Sequence, residues 1–410
     1  MFQPPKGTRD FLPDDMEKRR FVFELLREVF EKYGYGEVET PAFESLELLT
    51  CKGSLGDEAV KDVYKFEDKS ERRLGLRFDF TVPIARIVAA QKLAKPVRWY
   101  CIGKSWRYEE TTKSRYREFS QAGIELIGSA LPEADAEILQ MVIDCLLSLG
   151  LTDFIVRVNS REILDEMADN FGIKNKEEVF RIIDKIEKKG ELEVRSELKK
   201  ILNKKQIDEV IEFIKSNPNE SDMKNLKELK EIINLLDEKY RKFVKIDFSI
   251  ARGLDYYTGM IFEINVDGSK DAIAAGGRYD NLIKKYGGEE TPATGFGIGV
   301  ERLIPILEKN NLIKADEKNK FFVIPVSNNL RRDAIDICNM LRNKNIAAIL
   351  SLGKSISKQL DYANAKKMQY VIIIGEKELK EESVKLRDMK TGKEKNIKIQ
   401  DLVKEVWSLK

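Results

Sequence analysis

Histidine is absent from all 410 residues of the sequence. Its imidazole is the usual general base at neutral pH, the central member of the Ser-His-Asp triad and a frequent zinc ligand. The absence therefore excludes triad hydrolases and histidine metal centres, and no metal ligands are expected in the chain. Any chemistry must use carboxylates, arginines, backbone dipoles and bound ions.

Cysteine is scarce, and long apolar runs are missing. The four cysteines show no Cys-x-x-Cys spacing, which argues against a disulfide framework or a thiolate zinc site and favours a reducing compartment. No stretch has the ~20 consecutive apolar residues of a membrane span, and the N-terminus lacks the apolar core of a signal peptide. We therefore expect a cytoplasmic protein without a membrane partner.

Charge is abundant but balanced. Charged residues make up 35% of the sequence, against about 25% in an average soluble protein. The net charge is only +2, so a nucleic-acid partner would have to be held by a local basic face. The length predicts two or three domains.

The pattern of apolar residues divides the chain into four parts. Residues 1–160 begin with an amphipathic helix and continue with strands in an irregular order, which favours an α+β domain on an antiparallel sheet. Residues 161–243 are dense in Lys, Glu, Ile and Leu at helical spacing and are interpreted as a helical insertion, because strand-like sequence resumes in residues 244–315. Its charges fit a solvated surface better than a nucleic-acid contact. In residues 320–410 strands alternate with helices, which predicts a separate α/β domain with a partly parallel sheet.

Residues 106–125 predict two strands that flank a polar loop. Strand alternation places Phe119, Gln121 and Glu125 on one face. Such a face is unlike packed core, because a buried charge without a partner is costly. Spacing alone leaves a functional face and an exposed sheet face equally open.

Three further segments combine glycines or tyrosines with charged residues. Residues 251–259 follow a strand and bring together an arginine, an aspartate and two tyrosines, and residues 275–280 join two glycines to Arg278 and Tyr279. Residues 295–303 have a G-x-G-x-G spacing with no clean βαβ unit around it, which excludes a dinucleotide loop. We interpret these last glycines as room for a flat base against a strand, before a helix that begins near Val300.

Together these segments resemble the class II aminoacyl-tRNA synthetases. Arg107 with the run Arg-Tyr-Arg-Glu-Phe at residues 115–119 is similar to motif 2 of that class. Residues 297–302, Gly-Ile-Gly-Val-Glu-Arg, are similar to motif 3. The first helix with Pro41 is similar to motif 1, which forms dimers.

Two segments resemble one family more specifically. Arg252-Gly253-Leu254-Asp255-Tyr256-Tyr257, together with Gly276-Gly277-Arg278-Tyr279-Asp280, is similar to the histidyl-tRNA synthetase family. The resemblance extends over essentially the whole chain. It implies a class II catalytic domain on an antiparallel sheet, a helical insertion and a C-terminal anticodon-binding domain. It also implies a homodimer that forms histidyl-adenylate from L-histidine and ATP and transfers histidine to the 3′ end of its tRNA, with Mg²⁺ carried on the ATP phosphates.

The resemblance also implies roles for residues at the ATP end of the site. Arg107 matches the motif 2 arginine that holds the α-phosphate, and Arg302 matches the motif 3 arginine at the γ-phosphate. Phe119 matches the aromatic residue that stacks on adenine. Glu109 and Arg115 are expected to help orient the nucleotide.

At the amino-acid end, the resemblance implies that histidine is bound by Asp79, Thr81, Gln121, Glu125, Arg252, Tyr256, Tyr257 and Tyr279. Asp79 and Gln121 would take the substrate ammonium group, while Glu125 and Tyr257 would face its imidazole. Arg252 matches a family-specific arginine that approaches the α-phosphate from the side opposite Arg107, where related enzymes place a metal. Arg252 and Arg107 are therefore the implied catalytic residues.

The sequence departs from the family pattern at a few positions. Many bacterial relatives have Arg-Pro-Glu-Gly-Thr where this chain has Arg-Phe-Asp-Phe-Thr at residues 77–81, so that Asp79 is one methylene shorter. Motif 2 often has histidines where Tyr108 and Ser120 stand here, which places any histidine role at those positions in doubt.

Two other functions remain in view. A synthetase-like regulatory subunit of ATP phosphoribosyltransferase would resemble the catalytic domain, but such proteins usually lack the anticodon-binding domain predicted at residues 320–410. Another class II enzyme, such as a prolyl or threonyl synthetase, would share the three motifs. It would not explain residues 252–257.

Overall fold

The structure is a computed structural model and describes residues 2–51, 60–112, 114–217, 223–251, 256–266, 271–314, 320–353 and 355–409. The chain forms two compact units, Met1–Ala315 and Asp316–Lys410. Within the described residues, no helix is long and apolar enough to cross a membrane.

The first unit contains a large sheet and a small one. Its strands are β1 (Gly36–Glu37), β2 (Phe43–Ser45), β3 (Lys65–Glu67), β4 (Arg73–Leu76), β5 (Val97–Trp106), β6 (Glu118–Ile127), β7 (Phe154–Ser160), β8 (Val244–Ile246), β9 (Met260–Val266), β10 (Ala274–Arg278) and β11 (Ala293–Gly299). The large sheet has eight strands in the order β1-β5-β6-β11-β10-β9-β7-β8, and β2-β4-β3 form the small sheet.

The centre of the large sheet is antiparallel, which confirms the prediction from the sequence. The edge pairs β1–β5 and β7–β8 are parallel. The period-two pattern of apolar residues could not reveal this, because it reports which face a side chain occupies and not the direction of the strand. Direction is set by the connections, and β7 is connected to β8 through a long helical segment.

The helices of the first unit are α1 (Pro13–Lys32), α2 (Leu46–Leu49), α3 (Thr81–Ala90), α4 (Pro132–Ser148), α5 (Arg161–Asn170), α6 (Lys176–Ile183), α7 (Ile186–Lys189), α8 (Glu191–Leu198), α9 (Lys204–Lys215), α10 (Lys224–Asn234), α11 (Glu238–Arg241), α12 (Leu282–Lys285) and α13 (Val300–Lys309). Residues Val22, Leu26 and Phe30 of α1 recur at helical spacing and are fully buried, so they form one face of the helix. They share a core with α4 and with one face of the large sheet.

The other face of the large sheet is only partly covered. Phe80 and Ile84, at the start of α3, belong to a second core with Cys101 and Ile127 of the sheet. The helices between β7 and β8 extend this core with Phe180 and other apolar residues. These helices leave one part of the sheet uncovered, where β6, β11 and β10 lie side by side. Several candidate site residues from the sequence analysis, such as Gln121 and Tyr279, lie there.

The second unit has its own five-stranded sheet. Its elements are β12 (Phe321–Pro325), a 3-10 turn (Asn328–Leu330), α14 (Arg331–Arg342), β13 (Ala348–Leu350), α15 (Ile356–Ala365), β14 (Tyr370–Ile374), α16 (Glu376–Lys380), β15 (Ser383–Asp388), β16 (Glu394–Lys398) and α17 (Ile399–Ser408). The order is β13-β12-β14-β15-β16, with the first three strands parallel and the last two antiparallel. The predicted partly parallel sheet is confirmed.

Candidate active site

A cavity of about 420 Å³ opens on the uncovered part of the large sheet, within the range of about 300–1,000 Å³ usual for small-molecule sites. The sequence-predicted residues that line it are Asp79, Thr81, Arg107, Glu109, Arg115, Phe119, Gln121, Tyr256, Tyr257, Tyr279 and Arg302. Glu125 accepts hydrogen bonds from two of them, Thr81 and Tyr279. Arg252 lies outside the described residues.

The middle of the cavity floor is formed by β6 and β11, which pair in antiparallel register. The glycines of β11 make room for side chains of β6. A Cβ atom at Gly297 would lie 2.0 Å from Nε2 of Gln121, and one at Gly295 would lie 2.3 Å from Oε2 of Glu125. The space that a side chain would fill at Gly297 and Gly295 is therefore occupied by Gln121 and Glu125. From the sequence alone, these glycines are interpreted as room for a flat base. The helix after the strand begins at Val300, as predicted.

One end of the cavity is built around the carboxyl group of Glu125, which is 4% exposed. The hydroxyl of Thr81 donates a hydrogen bond to Oε1 at 2.6 Å, and the hydroxyl of Tyr279 donates to Oε2. Burial raises the pKa of Glu125 well above its usual range, and the nearby carboxylate of Asp79 acts in the same direction. Burial in this setting favours the protonated form of the carboxyl group.

Two buried acceptors in this end of the cavity have no hydrogen-bond donor among the described residues. They are Oδ2 of Asp79 and Oε1 of Gln121. The other oxygen of Asp79 accepts from the N–H of Val82 at 3.2 Å, in the first turn of α3. Burial raises the pKa of Asp79 to about 6, against the opposing effects of the Val82 N–H and of Arg107. Unsatisfied buried acceptors are unfavourable, so the pair is suited to a ligand that brings several donors, such as an ammonium group.

Three tyrosines form the aromatic wall of this end. Their rings are nearly buried, and the ring centroid of Tyr256 lies 4.7 Å from that of Tyr257 and 5.6 Å from that of Tyr279. Rings that pack on one another have few alternative rotamers. The wall is therefore a rigid surface for a flat ligand group.

The residues next to Tyr279 point away from the cavity, as strand alternation requires. Nε of Arg278 donates to Oδ2 of Asp135 at 2.8 Å, and both side chains are buried. Oδ1 of Asp280 accepts from the N–H of Ala293 at 3.1 Å. Of the charged and aromatic residues in this motif, only Tyr279 lines the cavity, and its neighbours fix its position.

The other end of the cavity is cationic. Nε of Arg107 donates to the carbonyl of Phe78 at 3.2 Å, and the guanidinium lies 5.4 Å from the ring of Phe119. Glu109 accepts from Nη1 of Arg115 at 3.2 Å and lies 3.9 Å from Nη1 of Arg107.

The third arginine of this end comes from the first turn of α13. Nη1 of Arg302 donates to the carbonyl of Ala272 at 2.8 Å. Burial lowers the pKa of Arg302, as do the neighbouring Arg115 and Arg107, while Asp271 opposes them. Three guanidinium groups face this end of the cavity, with Glu109 and Asp271 beside them. A cluster of arginines of this kind is suited to a polyphosphate.

Sequence reasoning missed several residues of the cavity. Ser114 donates to Oδ2 of Asp271 at 2.8 Å, which joins the polar loop after β5 to the start of β10. Asp184, Glu187 and Lys188, in the helical segment between β7 and β8, also line the cavity. No local signal could have identified them, since only the folding of that segment over the sheet brings them to the site.

Comparisons with known proteins show the family of the chain. A family model described as histidyl-tRNA synthetase matches residues 7–303, and a model described as anticodon binding domain matches residues 320–409. The histidine–tRNA ligase of Pyrococcus furiosus is 42% identical over 425 residues, which cover 98% of each chain.

Solved structures agree as well. The histidyl-tRNA synthetase of Nostoc sp. PCC 7120 has a TM-score of 0.82 at 28% identity and covers 100% of both chains. A Bacillus halodurans protein, described as an ATP phosphoribosyltransferase regulatory subunit/histidyl-tRNA synthetase, has a TM-score of 0.74 at 25% identity, with 91% of this chain and 98% of that one covered. The extent of the family models and the identity over the whole chain decide the assignment: the chain belongs to the histidyl-tRNA synthetase family.

Proposed function

We propose that this chain is a histidine–tRNA ligase, which activates L-histidine with ATP and transfers the histidyl group to the 3′ end of its tRNA. The observation that supports this most directly is the polarity of a single cavity. Among the described residues, one end has two buried acceptors without a hydrogen-bond donor and a buried carboxyl group, and the other end has three arginines. An amino acid with an ammonium group and an imidazole, placed against a triphosphate, matches both ends.

In the first step, the substrate carboxylate attacks the α-phosphorus of ATP and pyrophosphate leaves. Asp79 and Gln121 take the ammonium group in this proposal, and Glu125 and Tyr257 face the imidazole. A pocket built to hydrogen-bond both ring nitrogens rejects amino acids that lack them, because its buried polar groups would be left unpaired. Thr81, Tyr256 and Tyr279 complete the histidine pocket.

The nucleotide lies across the cationic end in this proposal. Arg107 and Arg252 hold the α-phosphate from two sides and stabilise the charge of its pentavalent transition state, where a comparable donor is worth about 2.7–4 kcal/mol. Phe119 stacks on adenine, and Arg302 binds the γ-phosphate. Glu109 and Arg115 orient the nucleotide, with Glu109 already paired to Arg115.

Mg²⁺ enters with ATP as part of the substrate. Magnesium is commonly held by one or two carboxylates together with phosphate oxygens and water. Glu109 and Asp271, which line the cationic end, are carboxylates of this kind. We propose in addition that the chain is a homodimer through the motif 1 region around α1, and that it acts in the cytoplasm.

The alternative function, a regulatory subunit of ATP phosphoribosyltransferase, is less supported. Such a subunit would need no set of phosphate-facing arginines. Here Arg107, Arg115 and Arg302 line one cavity, and an anticodon-binding domain follows.

The test is ATP–pyrophosphate exchange with each amino acid in turn, for the unaltered chain and for Arg252→Ala. We expect exchange with histidine alone and its loss in the variant. Arg72→Ala is the matched control, because Arg72 is largely exposed and pairs with Asp68 in a surface turn. A well-folded protein without any exchange would favour the regulatory function, and binding to a phosphoribosyltransferase would then be measured. Light scattering of the same preparation tests the dimer.

A further inference from the structure

A buried ion pair links the first helix to the helix that carries Arg302. Nη1 of Arg19, in α1, lies 2.9 Å from Oε1 of Glu301, in α13, and both side chains are 4% exposed. A buried pair of this kind often contributes no more stability than apolar residues of similar size, because both charges lose their hydration. Stability alone therefore does not explain why this ion pair lies between α1 and α13, next to Arg302.

Both members of the pair reach the same residue of β6. The N–H of Ser120 donates to Oε2 of Glu301 at 2.7 Å, and Nη2 of Arg19 donates to the Ser120 hydroxyl. These three residues are called the Arg19–Glu301–Ser120 cluster below. It joins α1, β6 and α13, which are distant from one another along the sequence.

The cluster extends the sheet beyond the end of a strand. The pairing of β6 with β11 stops at Gln121 and Gly299, because the chain turns into α13 at Val300. The next N–H of β6 on that side belongs to Ser120, and the carboxylate of Glu301 accepts its hydrogen bond in place of a strand. The end of β6 is thereby held by a side chain from the helix that follows β11.

Residues of the proposed ATP site lie directly beside the cluster. Phe119 precedes Ser120, and Arg302 follows Glu301. Gln121, on the histidine side, also neighbours Ser120. Phe119 pairs with Ser105 of β5, whereas Gln121 pairs both with Gly103 of β5 and with Gly299 of β11 and packs over Gly297. A change in the cluster should therefore move Phe119 and Arg302 more than Gln121.

The N-terminal segment covers the cluster. The guanidinium of Arg19 lies 4.0 Å from the ring of Phe11, and that of Arg9 lies 4.6 Å from the same ring and 4.2 Å from the ring of Tyr116. Gly7 accepts a hydrogen bond from the N–H of Arg117 at 2.8 Å. The segment thus connects the cluster to the polar loop that carries Arg115.

We propose that Arg19 and Glu301 are positioning residues for ATP, which set the distance between the adenine-stacking Phe119 and the phosphate-binding Arg302 through Ser120. The inference rests on the function proposed above. Glu301 is at the wall of the cavity, but its carboxylate is bound to Arg19 and to the Ser120 N–H. Their effect is specific to the nucleotide, because the histidine pocket is fixed by other contacts.

The test compares Glu301→Gln and Arg19→Met by steady-state ATP–pyrophosphate exchange, with ATP and histidine varied in turn. Glutamine keeps an acceptor for Ser120 but presents an amide N–H₂ or a weaker acceptor to Arg19. We expect the KM for ATP to rise by about tenfold or more, since a loss of about 1.4 kcal/mol in ATP binding is a factor of ten in affinity. The KM for histidine should stay within about twofold. Arg27→Met is the matched control, because Arg27 lies in the same helix but pairs with Glu37 at the surface.

The double variant Arg19→Met/Glu301→Leu separates positioning from stability. An apolar pair should recover the melting temperature lost in the single variants, but it provides no acceptor for the Ser120 N–H. We expect the KM for ATP, and the Kd for ATP by calorimetry, to stay raised in this variant. Recovery of ATP binding together with the melting temperature, or an equal rise in both KM values, would overturn the proposal. A similar rise in the KM for ATP in the Arg27→Met control would also overturn it. The absence of histidine-dependent exchange in the unaltered chain would instead count against the proposed function.

Discussion

At the scale of single residues, the buried carboxyl group of Asp79 lowers the stability of the free protein at neutral pH but is suited to bind a cation. Burial raises the pKa of its carboxyl group to about 6, from 3.8. A carboxyl group with a raised folded-state pKa favours the folded state only while it is protonated, so this contribution is lost as the pH rises from about 4 to about 6. At neutral pH the ionised form therefore opposes folding, and a substrate ammonium group would relieve it.

We predict that Asp79→Asn makes the free protein more stable at neutral pH and abolishes histidine-dependent exchange. The gain has an upper limit of about 3 kcal/mol, from the difference between the two pKa values. It should vanish below the usual pKa of an aspartate, where both side chains are neutral. Calorimetric melting at neutral pH and at a pH below the usual pKa of aspartate measures the difference in stability. Asp153→Asn is the control at an exposed loop position. A variant that melts lower than the parent at neutral pH would contradict the prediction.

A second residue-scale prediction concerns the donor from Tyr279 to Glu125. Tyr279→Phe leaves one oxygen of a buried carboxyl group without its donor, at a cost of about 1–3 kcal/mol. We expect the KM for histidine to rise by about 10-fold to 100-fold, while the KM for ATP is unchanged. Tyr286→Phe is the control, since its ring lies outside the residues that line the cavity. Equal changes for both substrates would show that the bond only supports the general fold.

The sequence predicted some of these residues and not others for a physical reason. Strand alternation is a local property, so Phe119, Gln121 and Glu125 could be assigned to one face from their spacing alone. Asp271 and Glu301 contact their partners Ser114 and Ser120 over more than a hundred positions. Such contacts depend on the order of strands in the sheet, which no window of sequence contains.

At the scale of secondary-structure elements, Arg157 is the anchor of the helical segment between β7 and β8. Its guanidinium, on β7, donates to Glu187 of α7 at 2.6 Å, to Asp247 at 3.0 Å and to the hydroxyl of Ser249 at 3.0 Å. Residues next to Glu187 line the cavity. The loop that contains Asp247 and Ser249 leads along the chain towards Arg252.

We predict that Arg157→Met loosens α7 from the sheet. Removing one partner of a buried pair can cost about 3–5 kcal/mol. Because Glu187 is 49% exposed, we expect a smaller loss of about 1–3 kcal/mol. Amide exchange should become faster in residues 184–189 and 247–251, and kcat/KM for ATP in exchange should fall several-fold. Arg181→Met, which removes a bond within one helix, is the control, and unchanged amide exchange in α7 would refute the anchor.

The helices and strands themselves were mostly predictable, whereas their placement was not. The spacing of Val22, Leu26 and Phe30 predicts α1 and its buried face. The sequence predicts a helical insertion at residues 161–243, but not that α7 lies against the cavity. The spacing of apolar residues predicts which face of a helix or strand is buried. It does not predict which other element packs against that face.

At the scale of the whole molecule, the two units have cores of their own. Val22, Leu139 and Phe262 belong to the core of the first unit, and Phe321, Cys338 and Leu402 to that of the second. The five described cores each draw their residues from one unit alone. A unit with a complete core can fold as an independent domain.

We therefore predict that the proposed activity divides between two fragments. Residues 1–314 should fold and retain histidine-dependent exchange within about twofold of the full chain, since every described residue assigned to the reaction lies in this unit. Charging of tRNA should fall, because in the full chain both units would contact the tRNA. Loss of one of two linked contacts lowers the apparent affinity, here for tRNA, by about 10²–10⁴. Residues 320–410 should melt cooperatively on their own. If a well-folded first fragment had no exchange, adenylation would require the second unit; if it charged tRNA as efficiently as the full chain, the second unit would have no part in tRNA binding.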